Sequence, residues 1–112
     1  MIVADLVKQL NLKVISGESG LKNKVEGGYT SDLLSDVMGF AESGQVWITV
    51  QTHKNVMAVA SLKEMAAIIL VKGLQADPDT LEQSDLEGIP ILSTHDQTFE
   101  MSGKLYSLIH VK

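Results

Sequence analysis

Three short segments carry most of the side chains in this sequence that could do chemistry. They are Tyr29-Thr30-Ser31-Asp32, Gln51-Thr52-His53-Lys54-Asn55 and Thr94-His95-Asp96-Gln97-Thr98. Between them they hold hydroxyls, two imidazoles and a lysine, a set suited to hydrogen-bonding a polar or anionic small molecule. The candidate ligand-binding residues are therefore Thr30, Ser31, Asp32, Thr52, His53, Lys54, Thr94 and His95. A second reading makes His53 and His95 the acid and base of a small enzyme, because an imidazole exchanges a proton near neutral pH. A structural role competes with both, since Thr30, Ser31, Asp32, Asn55, Asp96 and Thr98 are all of the types that cap helix N-termini.

Other chemistries find less support. His53 and His95 would make a metal pair only if their strands were neighbours, with Asp32 and Asp96 as the nearest carboxylates, and no His-x-x-x-His spacing occurs. A triad of Ser31, His53 and Asp32 can be drawn on paper, but the Gly-x-Ser-x-Gly elbow is missing. Gly27-Gly28 matches neither glycine-rich phosphate loop and reads as a turn or bulge. Trp47 reads as core, His110 as an exposed tail residue, and the acids from Asp77 to Glu87 as a solvated helix face. No catalytic residue, metal ligand or cofactor is assigned.

The elements that must position these residues follow from hydrophobic period. Ile2, Val3, Leu6, Val7 and Leu10 recur at helical spacing, and strands are expected near residues 13 to 16, 46 to 50, 67 to 71 and 89 to 93, with a short one over 25 to 29. Helices are expected with Ser31 or Asp32 as cap up to Gly44, over Asn55 to Met65, from Asp77-Pro78 to Gly88, and from Asp96 or Gln97 towards Leu108. From Trp47 onward strand and helix alternate, the pattern of βαβ crossovers, so the fold expected is a single three-layer α/β sandwich with a mostly parallel sheet. In such sheets ligands collect outside the carboxyl ends of the strands, where all three segments should fall.

Composition narrows the partners. The chain has 112 residues, enough for one core, and no cysteine for a disulfide framework. Its nine basic residues are all lysines against 14 acids, and a net charge of −5 without arginine argues against nucleic acid. The longest apolar run, Met65 to Val71, is too short to span a bilayer, and the charged N-terminus reads as part of the fold and not as a leader. The expected compartment is the cytoplasm. A homodimer is expected as well, because 45% hydrophobic residues exceed what so short a chain can bury, and helices such as Asn55 to Met65, with Val56, Met57, Val59, Ala60 and Leu62, offer apolar residues on more than one face.

The run from Gly27-Gly28-Tyr29-Thr30-Ser31-Asp32-Leu33-Leu34, through Val46-Trp47-Ile48-Thr49-Val50-Gln51-Thr52-His53 and Ala67-Ile68-Ile69-Leu70-Val71-Lys72-Gly73, to Gly88-Ile89-Pro90-Ile91-Leu92-Ser93-Thr94 resembles a stand-alone DRTGG domain, over about four-fifths of the chain. Domains of that family accompany CBS pairs in regulated pyrophosphatases and occur in some phosphotransacetylases, and they resemble the N-terminal domains of HPr kinase and Mur ligases. The resemblance implies a non-catalytic regulatory or dimer-forming module that binds a small metabolite, a nucleotide among the candidates. Single-domain versions associated with iron hydrogenase gene clusters imply a link to redox metabolism. The Asp-Arg-Thr-Gly-Gly signature itself is absent, and Gln51-Thr52-His53-Lys54-Asn55 stands in its place. Lys54 keeps a positive charge there without the bidentate fork of arginine. The arginine of the nucleotide-holding Asp-Ser-Arg segment of Mur ligases is also missing after Ser31.

Overall fold

A computed structural model describes residues 1 to 110. In chain order the elements are α1 (Val3–Gln9), β1 (Lys13–Ser16), a 3-10 turn (Glu18–Gly20), β2 (Gly27–Thr30), α2 (Leu34–Phe40) and β3 (Gln45–Thr49). Then follow α3 (Asn55–Leu62), β4 (Ala67–Leu70), α4 (Pro78–Glu87), β5 (Ile91–Ser93) and α5 (Thr98–His110). The strands form one sheet in the order β1-β5-β4-β3-β2, with β2 to β5 mutually parallel and β1 antiparallel to β5.

The near-continuous apolar strands are explained by two covered faces. Successive side chains of a strand point to opposite faces, so Val46 and Ile48 of β3, with Ala67 and Ile69 of β4, pack against α1 and α5 through Val3, Leu6, Met101 and Leu105. Trp47, Ile68, Leu70 and Ile91 face the other way and pack against α2 and α3 through Val37, Val56, Met57 and Ala60. Leu81 of α4 lies against this second cluster. The result is the three-layer sandwich that the sequence predicts. The spatial order β2, β3, β4, β5 repeats the chain order, and crossovers of one hand then place α2, α3 and α4 on one side. After β5 the chain changes side to form α5.

Several boundaries differ from the sequence reading. Helix α2 is capped by Leu33 and not by Ser31 or Asp32, and it ends at Phe40 because Ala41 is extended. Helix α3 stops at Leu62, three residues early, in a Schellman motif: Glu64 turns left-handed, its N–H bonds Ser61 O, and Met65 N–H bonds Ala60 O. Val56, Met57, Val59 and Ala60, among the apolar residues that suggested a dimer, are buried against the sheet. The apolar excess of α3 therefore belongs to the core, with Leu62 alone among its large apolar residues left exposed. Gly27-Gly28 lies in β2, in line with the short strand expected over 25 to 29 and not with the turn or bulge that the pair alone suggested. Its lack of side chains lets α5 approach, since a Cβ on Gly28 would lie 2.8 Å from Leu105 Cδ2. His110 is exposed as expected, but it is helical and stacks on Tyr106 with ring centroids 4.3 Å apart.

Candidate functional site at the carboxyl edge of the sheet

Parallel pairing puts the ends of β2, β3, β4 and β5 at one edge, and the three segments singled out above emerge there. Thr30 is the last residue of β2, and its hydroxyl pairs with Ser102 Oγ of α5 at 2.8 Å. Ser31 turns the chain: its Oγ accepts the N–H of Leu33 at 3.1 Å while its carbonyl accepts the indole N–H of buried Trp47 at 2.8 Å. Asp32 binds the neighbouring strand end, its Oδ1 accepting Thr49 Oγ1 at 3.0 Å and the Val50 N–H at 2.9 Å. Gln51 Nε2 donates to the Asp32 carbonyl at 2.8 Å, which closes the link between the β2 and β3 loops.

The β3 loop is held in turn by the start of α4. Thr52 O accepts the Asp77 N–H at 3.1 Å and Thr80 Oγ1 at 2.9 Å. His53 is exposed and its Nδ1 accepts the Asn55 N–H at 3.2 Å. Lys54, the N-cap of α3, is also exposed. On the β5 side Thr94 Oγ1 accepts the Asp96 N–H at 3.1 Å, and Asp96 pairs with Lys104 of α5 at 2.7 Å. The loop after β4 is tied to this segment by Lys72 N–H to Asp96 O and Gly73 N–H to Thr94 O, both 2.9 Å.

The candidate residues thus share an edge but not a cavity. Thr30 lines a cleft of about 220 Å³ beside α5, floored by Ile48 and Leu105. Lys54 lies at the mouth of a groove of about 500 Å³ between α3 and α4. His95 borders a cavity of about 330 Å³ where β1, β4, β5 and α4 meet. A polar cavity of about 490 Å³ opens at the opposite edge, near Asn23, Glu26 and Glu64.

Two constructions drawn from the sequence fail on this geometry. The metal pair requires adjacent strands, whereas β4 separates β3 from β5, placing the loops of His53 and His95 two strand spacings apart, roughly 10 Å. No cluster of three metal-ligating side chains occurs among the described residues. The triad fails because Ser31 and His53 each bond a backbone N–H two residues on, and Asp32 bonds Thr49 and Val50. Among the described residues no buried side-chain N or O lacks a partner.

Residues absent from the sequence reading also line this edge. Lys13 and Ser93 face each other across the β1–β5 ladder, and both border the His95 cavity. Their signal was hidden because nothing local announces that β1 runs antiparallel beside the last strand.

The DRTGG domain profile matches residues 5–108. The chain belongs to the DRTGG domain family. No curated protein matches the sequence. Among solved structures, the CBS and DRTGG domains of the regulatory region of Clostridium perfringens pyrophosphatase, complexed with the activator diadenosine tetraphosphate, superpose with a TM-score of 0.71 at 12% identity. The match covers 94% of this chain and 45% of that one, so the chain spans less than half of the pyrophosphatase region. At that identity the likeness is one of fold. No helix among the described residues is long and apolar enough to cross a membrane.

Proposed function

We propose that this DRTGG domain is a non-catalytic regulatory module that binds a small polar or anionic metabolite, nucleotides among the candidates, at the carboxyl edge of its sheet, and that it works as a homodimer. The observation that carries the reading is the construction of that edge. Asp32, Gln51 and Thr52 link the β2, β3 and β4 loops into one hydrogen-bonded rim, and Thr30, Ser31, Lys54, Thr94 and His95 stand along it. Family membership supports a regulatory role, as does a similar fold in a regulatory region solved with a nucleotide activator. The alternative, acid–base catalysis by His53 and His95, would need an orienting partner for each ring and a shared substrate position, and β4 lies between their loops.

A thermal-shift screen of mononucleotides, diadenosine tetraphosphate and phosphorylated metabolites tests the reading. A ligand at about 100 times its Kd raises stability by roughly 2.7 kcal/mol, and the gain should shrink in His53→Ala or Lys54→Ala. A panel without any stabilising compound, or one whose effect survives both substitutions, would overturn it.

A further inference from the structure

The connections at the β4–β5 boundary leave in opposite directions. The β4 loop leads to α4 on one face of the sheet, and the β5 loop leads to α5 on the other. Where neighbouring connections part in this way a crevice opens outside the carboxyl ends of the strands, the position at which open α/β sheets take ligands. Here it holds the cavity of about 330 Å³ bordered by His95, within the size range of small-molecule sites.

Its lining has a definite chemistry. Leu70 and Leu81 form an apolar floor, while Ile15 and Leu74, both more than a third exposed, stand at the walls. Lys13, Gln75, Ser93 and His95 supply polar groups, and no aspartate or glutamate lines the cavity although acids outnumber lysines 14 to 9 in the chain. Asp96, next to His95, is paired with Lys104.

The place of His95 is also set in advance. The carbonyls on either side of it, of Thr94 and Asp96, accept the N–H groups of Gly73 and Lys72. Gly73 has a left-handed φ of 67°, and a Cβ there would lie 2.7 Å from His95 Nδ1, so glycine makes the room in which the ring sits.

We propose that this cavity is a binding site for a small organic anion with an apolar body, the body against Leu70, Leu74 and Leu81 and the carboxylate or phosphate head towards Lys13 and His95. The proposal rests on the reading of the carboxyl edge as the ligand-binding edge and names the ligand class at one end of it. The head groups are exposed, so most of the binding comes from the apolar body and the charge supplies selectivity.

The test is a titration of the full chain followed by amide NMR, with 4-phenylbutyrate, phenyl phosphate, the neutral 4-phenylbutanamide, acetate and ATP as probes. The expected result is a saturable shift of the Ile15, Gly73, Leu74 and Ser93 amides by 4-phenylbutyrate or phenyl phosphate. Binding should be at least about tenfold tighter than for the neutral amide, with acetate inert, and about tenfold weaker in Lys13→Gln/His95→Gln with an unchanged circular dichroism spectrum. Equal binding of acid and amide, a response to acetate as strong as to phenylbutyrate, or shifts confined to other residues would overturn the proposal. If the double variant does not fold, Leu74→Gln at the exposed wall replaces it, and unchanged phenylbutyrate affinity there counts against the cavity. ATP shifts around residues 30 to 32 and 52 to 54 without any response to the aryl anions would sink this site and leave the wider edge reading standing. The reverse pattern would keep the cavity and remove nucleotides.

Discussion

At residue scale the candidate side chains divide into those that hold the edge together and those that remain available to a ligand. Asp32 is a holding residue. Its type suggested a helix cap, but its carboxylate instead takes two donors at the end of β3, 17 and 18 residues away. Asp32→Ala should therefore cost about 1 kcal/mol in urea unfolding, discounted for its exposure, and should loosen the β2–α2 connection as read by amide exchange. If stability and exchange both stay as in the unaltered chain, the rim described here is not a rigid unit. Tyr29 provides a second test. Its hydroxyl donates to Asp36 Oδ2 at 2.8 Å, and that bond, with the nearby negative charge, raises the phenol above its ordinary value of 10.0. The folded value lies above the unfolded one, so the stabilisation is complete below about pH 10 and disappears as pH rises through the folded value. NMR with tyrosine labelled at Cζ should show Tyr29 titrating late, and Asp36→Asn should bring it back towards 10.0. Titration of Tyr29 unaffected by that substitution would mean the bond does not form in solution.

At the scale of elements, what was legible in the sequence was what local pattern controls. Near-continuous apolar runs marked the strands from Trp47 onward, and Asp77-Pro78 with Gly88 framed α4, whose C-cap Gly88 is left-handed as that reading requires. The end of α3 was less legible, because a left-handed glutamate, with none of glycine's freedom, closes it. Least legible was the seam between β1 and β5. Gly17 there is left-handed at a φ of 74° and packs against Pro90, while Ser16 Oγ donates to Ser84 Oγ at 2.8 Å and Ser84 Oγ donates to Ile89 O at 2.7 Å. Two buried serines 68 residues apart carry no periodic signal, yet they join the antiparallel edge to α4. Ser84→Ala leaves a buried hydroxyl and a carbonyl without their partners and should destabilise by about 1 to 3 kcal/mol. Replacing both with alanine should cost less than the sum of the single changes, because the second removes the orphaned group left by the first. Fully additive costs in a double-mutant cycle would show that the hydroxyl chain is not coupled. The same seam presents Lys13 opposite Ser93, so the antiparallel pairing both closes the sheet and furnishes the cavity beside His95.

At the scale of the whole molecule, the apolar excess that suggested a dimer has been redistributed without disappearing. Val56 and Met57 are core, so Met57→Glu should unfold the domain, at a cost above about 4 kcal/mol for a buried unpaired carboxylate, and report nothing on assembly. The large apolar side chains most exposed on α2, α3 and α4 are instead Phe40 at 73%, Leu62 at 68% and Leu86 at 74%. Packing of α2 on α3 and of α3 on α4 places these helices side by side, and Lys63 Nζ donates to Met38 O between the first two. A closed two-fold dimer would use one such layer from each copy, since a self-complementary patch is the simplest way to cover it. Sedimentation equilibrium of the full chain should then give a mass near twice 12.1 kDa at micromolar concentration. Phe40→Ser or Leu62→Glu should weaken the association while leaving the unfolding free energy of the monomer within about 0.5 kcal/mol, as exposed positions do. A mass that stays at 12.1 kDa into the high micromolar range would remove the dimer. A dimer indifferent to Phe40, Leu62 and Leu86 would move the interface to α5, where Phe99 at 89% and Tyr106 at 67% are exposed. In that case assembly would cover the cleft beside Thr30, whose wall Tyr106 forms, and ligand binding there would weaken as protein concentration rises.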